Sequence, residues 1–231
     1  MTTPHQTLRT IQGITIVDQV WSQLQSLILH GELAPGARLV ELELANQMGT
    51  SQAAVREALQ RLERDGLVER RGRAGTFVTS VSADEMREVF AVRSVVEAFA
   101  IQRTVARIQA DQLDELAELI MRMRAAGRAG DITTLVEHDM TFHQCLCYWS
   151  GHQTLLRVWQ PLYMQVERFV IMTHPQYFAN LVEIADTHEP ILDALRSSDS
   201  EAAAARINEH IMLIWTRFEH GPSGKPPAPV L

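Results

Sequence analysis

Apolar side chains recur at helical spacing near the start of the chain. Val17, Val20, Leu24, Leu27 and Ile28 share one face and predict a helix over 17–29. Gly31 stops it, and Pro35-Gly36 makes a turn. A short second helix reads over 40–48 and breaks at Gly49. Ser51 is placed to cap a third, which carries Val55, Leu59 and Leu62 and ends at Asp65-Gly66. The period then changes. Leu67-Val68-Glu69-Arg70-Arg71, a turn over 72–75 and Thr76-Phe77-Val78-Thr79 read as a hairpin of two short strands. Three helices followed by a hairpin predict a winged helix-turn-helix over 15–80, behind a flexible tail of residues 1–14.

Beyond Thr79 the pattern is helical, with no strand signal. Ser82-Ala83-Asp84-Glu85 has capping-box spacing and opens a helix running to about 108. A second reads from Asp111 to near Gly127, and a third from Gly130-Asp131 to Ser150-Gly151. A fourth covers about 154–172, kinked at Pro161 and broken by His174-Pro175. A fifth covers about 176–195, with Pro190 as a kink, and a second capping box at Ser198-Asp199-Ser200-Glu201 opens the last. The fold class predicted is mostly α: an N-terminal winged helix-turn-helix and a C-terminal antiparallel six-helix bundle over 81–220. The closing GPSGKPPAPVL, 221–231, reads as a disordered tail.

Charge changes the picture. The net charge of −7 alone argues against a nucleic-acid partner. Yet residues 1–80 hold eight arginines and eight acids, so the bundle supplies the whole deficit. Residues 51–73 carry six arginines against four acids. Twenty of the 21 basic residues are Arg, which suits bidentate recognition of phosphate and carboxylate, although a GC-rich genome produces the same bias. Two cysteines exclude a disulfide scaffold. The absence of a secretory leader or a long apolar run predicts a cytoplasmic protein without a membrane span.

The stretch from Gly31 to Val78 resembles the GntR family of bacterial transcription regulators. L-x-P-G-x-x-L precedes the second helix, V-R-E-A-L-x-x-L lies in the third, G-L-V enters the wing and R-x-G-x-x-V leaves it. The resemblance implies that the third helix enters the major groove of operator DNA. Ser51, Gln52, Ala53 and Arg56 would then reach the groove, Arg38 would match a family DNA contact, and Arg70, Arg71 and Arg73 would form a basic wing. One departure stands out. The family usually has S-R-x-P-V-R-E-A-L, whereas this chain has Gln52 in place of the arginine, which exchanges a guanine reader for an adenine reader.

Chemistry also points inward. Asp139 and His143 lie four apart on one helix face with Leu135, Phe142 and Leu146. His188 sits on a stripe of Leu181, Ile184, Ile191, Leu192 and Leu195, and His210 on one of Ala203, Ile207, Ile214 and Phe218. Each histidine alone reads as a satisfied core residue. Together, three imidazoles and one carboxylate form a ligand set for a divalent transition metal. D-x-x-F-H, H-x-x-I-L-D-A-L and a final-helix His resemble the FCD ligand-binding domain of FadR-type GntR proteins. That resemblance implies a metal on Asp139, His143, His188 and His210, zinc first and nickel or manganese as alternatives. It also implies a small organic acid as effector beside the metal.

Arg93 falls on a mostly apolar stripe with Met86, Phe90, Glu97 and Ala100. A buried arginine needs an anion, either Glu97 four residues on or an effector carboxylate. Cys145 and Cys147 read as buried thiols, His138, His152, His174 and His220 as outward, loop or helix-end residues, and Trp159, Tyr163 and Phe169 as core. The function expected is a metal-dependent, effector-responsive regulator of operator DNA, a repressor and a homodimer rather than an enzyme. Two alternatives stand beside it. One is a hydrolase-like enzyme using a metal-activated water, for which the chain lacks H-E-x-x-H. The other is a helical interaction protein that has lost DNA binding.

Overall fold

A computed structural model describes residues 13–80 and 83–220. The first helix, α1 (Ile16–Leu29), is opened by Thr15, whose hydroxyl accepts from Asp18 N while Thr15 N donates to the Asp18 carboxylate. It buries Val20, Leu24, Ile28 and Leu29. β1 (Arg38–Leu39) follows, then α2 (Glu41–Gln47) and α3 (Gln52–Arg64). Ser51 caps α3 as expected, accepting from Ala54 N at 3.2 Å. α3 buries Val55, Ala58, Leu59 and Leu62, the stripe read from the period. β2 (Val68–Arg70) and β3 (Thr76–Val78) form the wing, joined by a tight turn at Gly72–Ala74. The sheet has three strands rather than two. β1 pairs with β3 in the order β1-β3-β2, all antiparallel, with Leu39 opposite Thr76. A two-residue strand carries too little alternation to show in a sequence.

The second body contains α4 (Ala83–Val105), α5 (Ala110–Ala129), α6 (Ile132–Trp149), α7 (Gln153–Tyr177), α8 (Val182–Asp186), α9 (Glu189–Arg196) and α10 (Ser200–His220). Several boundaries differ from expectation. Gly127 does not end α5. It lies inside the helix, where an added Cβ would stand 3.0–3.3 Å from the backbone of Leu181 and Val182. Gly130, at φ +71°, makes the left-handed C-cap instead. α7 runs through both Pro161 and Pro175, held by the burial of Trp159, Val166, Phe169 and Val170 along it. The expected fifth helix is divided, so α8 and α9 together occupy its place. Pro190 sits in the first turn of α9, where a missing N–H costs nothing, and it starts that helix rather than kinking one. Asp199, not Ser198, caps α10, accepting from Glu201 N and Ala202 N. Ser82, residues 1–12 and residues 221–231 lie outside the described residues.

The two bodies touch through α7. Met164 of α7 is buried among the head residues Val20, Leu24 and Leu59. Arg168 donates from Nη1 to the Thr79 carbonyl at 2.7 Å, just past the wing. His30, at the end of α1, meets Thr133 Oγ1 of α6 at 3.1 Å.

Candidate metal centre and DNA-reading face

Asp139 and His143 lie one turn apart on α6, His188 stands at the N-cap of α9, and His210 lies on α10. All four are buried, and one ligand atom from each lies within 4.8 Å of the others. The break between α8 and α9, which the sequence reading did not place, positions His188.

The outer nitrogen of each imidazole is already held. His143 Nδ1 lies 2.5 Å from Glu97 Oε2. His188 Nδ1 lies 3.0 Å from the Ile184 carbonyl. His210 Nδ1 lies 2.9 Å from Thr187 Oγ1, whose own proton goes to the same Ile184 carbonyl at 2.6 Å. A carboxylate, a carbonyl and a committed hydroxyl can only accept here, so all three Nδ1 atoms donate. With the rings neutral, all three Nε2 atoms are then bare acceptors. Two of them, on His143 and His210, face each other at 3.2 Å. The third, on His188, lies 3.0 Å from Asp139 Oδ1 but has no aligned hydrogen-bond partner. Lone pairs aimed at one another in a dry interior are unfavourable unless a cation sits between them. Outer hydrogen bonds that fix the tautomer of inward imidazoles are how proteins build such sites.

The ionisation states agree. Burial works against charge on Asp139, but the neighbouring His188, with His143 and His210, holds its carboxyl well below the usual range. Burial pushes His143 and His210 below the ordinary histidine value. An ionised carboxylate with neutral imidazoles is the state in which these residues coordinate a divalent ion. The donor set fits one.

A second layer holds this one in place. Glu97 is fully buried and accepts from Arg93 Nε at 2.6 Å, from Trp159 Nε1 at 2.9 Å and from His143. Burial raises its carboxyl, yet the charge of Arg93 and the hydrogen bonds from His143 and Trp159 outweigh it and bring the value to about 2. Arg93 thus pairs with Glu97, while its Nη2 is buried without a partner. Sequence reasoning treated Trp159 as plain core and gave Glu97 no role at the centre. His174 was placed at a helix end, but it is buried, and burial lowers it to about 4. The thiols are not ligands of the cluster. Burial raises Cys145 to about 11 and Cys147 well above the ordinary value, which keeps both protonated.

The residues expected to face DNA are all exposed: Arg38 on β1, Ser51, Gln52, Ala53 and Arg56 at the start of α3, and Arg70, Arg71 and Arg73 on the wing. Arg71 pairs with Glu69 at 2.6 Å and stacks over Phe77. Arg56 pairs with Glu41 at 2.8 Å, and the same carboxylate takes the Gln52 amide. The Arg56 hydrogen bond, against the cost of burial, holds the Glu41 carboxyl below its usual value, with a further contribution from the charge of Arg70.

Comparison with known proteins settles the family. Residues 88–212 match the FCD domain, and residues 16–78 match the bacterial regulatory proteins of the gntR family. The chain belongs to the GntR family, in its FCD-bearing, FadR-type branch. It is 29% identical over 218 residues to a Paenarthrobacter nicotinovorans protein named "Probable D-xylose utilization operon transcriptional repressor", covering 94% of this chain and 95% of that one. It is 24% identical over 197 residues to the gluconate operon transcriptional repressor of Bacillus licheniformis, covering 83% and 80%. Among solved structures, E. coli McbR/YncC shares the fold with a TM-score of 0.74 at 24% identity, over 89% of this chain and 99% of that one. This GntR protein is therefore a transcriptional regulator with a DNA-binding head. Among its described residues no helix is long and apolar enough to cross a membrane.

Proposed function

We propose that this GntR regulator is a cytoplasmic, homodimeric repressor whose grip on operator DNA is set by a small carboxylate bound beside a divalent metal. Residues 15–80 form the DNA-binding unit and 81–220 the sensing unit. The observation that carries the reading is the set of three bare Nε2 atoms and one carboxylate facing a single buried point. Asp139, His143, His188 and His210 would hold the metal. Zinc is the first expectation, with nickel or manganese next, since imidazole and carboxylate ligands discriminate weakly among them. The metal would supply a Lewis-acidic anchor for an anion.

Arg93 supports the carboxylate. Its Nε is committed to Glu97, and its Nη2 is left as a buried donor in need of an acceptor. A hydroxy or sugar acid would satisfy it, in keeping with the gluconate operon of one relative. Homodimer formation is supported by exposed Val92, Val95 and Phe99 on α4 beside exposed Val158 on α7. Control requires the acid to prefer one arrangement of the two heads. The contacts of α7 with Thr79 and with the head core provide a connection.

Two measurements test this. Elemental analysis of protein purified without chelator should find about one metal per chain, lost in a His143→Ala/His188→Ala double variant. Full occupancy in that variant would overturn the site. Calorimetric titration of gluconate and related acids should show binding that weakens after chelation and in Arg93→Ala. Equal binding in all three states places the effector elsewhere.

A further inference from the structure

His174 lies near the metal centre but outside its ligand set. It stands in the last turn of α7, 2% exposed, within electrostatic reach of Asp139, Arg93 and His188. Phe178 meets its ring edge-on, with the centroids 5.1 Å apart, and Arg217 stacks on Phe178 at 4.4 Å. The ring is thus held in place, but its nitrogens are not engaged. Among the described residues neither makes a hydrogen bond, and neither is sealed off as Arg93 Nη2 and His188 Nε2 are. They keep a trace of accessible surface in a residue that is otherwise buried, so they border a small open space. A bare imidazole in an interior is unfavourable unless whatever enters that space bonds to it.

The occupant must match the ring. Burial holds His174 down to about 4, so at neutral pH one nitrogen donates and the other accepts. A second carboxylate on the effector would use only the donor, and an ammonium only the acceptor. A hydroxyl donates and accepts through a single oxygen, so it serves either nitrogen in either tautomer. Water offers the same pair of bonds, so a hydroxyl displaces it without loss, whereas a methylene displaces it and leaves the ring bare. We infer that His174 is a specificity-determining residue of the effector site: it reads a hydroxyl on the acid whose carboxylate lies at the metal and Arg93, and so restricts the effector to hydroxy acids. This rests on the effector reading above and sharpens it, since a metal and Arg93 by themselves would accept any small carboxylate.

The test is calorimetric titration of the full, metal-loaded chain with pairs of acids that differ by one hydroxyl. Lactate is set against propionate, and 3-hydroxybutyrate and 4-hydroxybutyrate against butyrate, with gluconate as the polyhydroxy probe. In wild type at least one hydroxy acid should bind about tenfold or more tighter than its partner, because the partner leaves the imidazole unpaired. In His174→Leu that advantage should fall to within about twofold, chiefly through weaker binding of the hydroxy acid. His174→Phe keeps a ring without its nitrogens and gives the same readout should the leucine variant fail to fold. His174→Gln, with a donor and an acceptor, should restore part of the preference. Metal content by elemental analysis should be unchanged in all three, which separates this role from ligation. Equal binding within every pair by wild type overturns the inference. So does a hydroxyl preference that survives in His174→Leu or His174→Phe, which would assign the hydroxyl to the metal. Failure of gluconate and of every paired acid to bind wild type instead defeats the effector reading itself, and this inference with it.

Discussion

The head and the bundle each contain an arginine paired with a glutamate, and the two pairs do opposite work. Arg56 and Glu41 meet at 2.8 Å with side chains 51% and 22% exposed. Arg93 and Glu97 meet at 2.6 Å with side chains 4% and 0% exposed. Water screens the first pair, so it adds little to stability and can be exchanged for DNA. The second has lost its water, and removing either partner strands a charge in the interior. A DNA-reading surface needs contacts that trade places, whereas a metal site needs a frame that does not move.

The sharpest way to break this contrast is at the exposed pair. Arg56→Ala should drop operator affinity to the non-specific level, a thousandfold or more, while the melting temperature stays within about two degrees. Anisotropy titration and calorimetry read the two separately. A large fall in melting temperature would show that the head depends on the pair for its fold. At the buried pair the outcome should reverse. Glu97→Ala should cost about 3–5 kcal/mol, a fall on the order of 10 °C. Glu97→Gln, which keeps the shape, should lower metal affinity about ten- to a hundredfold through loss of His143 orientation. Unchanged metal affinity in Glu97→Gln would reduce Glu97 to a structural partner of Arg93.

Burial of imidazoles gives a smaller effect with a definite sign. His174 is lowered to about 4 from the ordinary 6.5. The unfolded chain therefore takes up a proton that the folded one refuses. Metal-free protein should lose stability as pH falls from 6.5 toward 4, by up to about 3 kcal/mol from this residue. Chemical denaturation of His174→Leu across that range should show a shallower slope; an unchanged slope would assign the effect to the other buried imidazoles. The smallest change is expected on the wing. Arg73→Ala should reduce the log–log salt dependence of DNA binding by about one, with base preference intact. A change in base preference would mean that Arg73 reads the groove.

Legibility in the sequence followed the range of the interaction. The cap at Ser51, the stripe of Val55, Leu59 and Leu62, and the shared face of Asp139 and His143 are set by residues within a turn or two of each other. They were readable from spacing alone. Gly127 was misread as a stop because its reason is the backbone of Leu181 and Val182, more than fifty positions along the chain. Pro175 was misread as a break because burial along α7 overrides local propensity, whereas Pro161 lies inside the helix as expected. Glu97 was legible as a partner for Arg93, four residues away, but not as the acceptor behind His143, and the burial of His174 gave no usable signal, since periodicity does not tell a solvated polar residue from one sealed by a distant helix.

The sequence by itself determined the two kinds of body, the reading helix with its Gln52 departure, and the four residue types that can hold a metal. The bodies and the residue types are a matter of identity and short-range period, and the reading helix with its departure is what the resemblance to the GntR motif implies. The tertiary structure decided the rest. It broke the chain at His188 to aim that imidazole inward, set Glu97 and Thr187 behind the ring nitrogens, and put Glu41 against Gln52. These contacts join different helices, 11 to 46 positions apart in the chain, and their energies depend on which groups lose water together, which spacing along one helix does not encode.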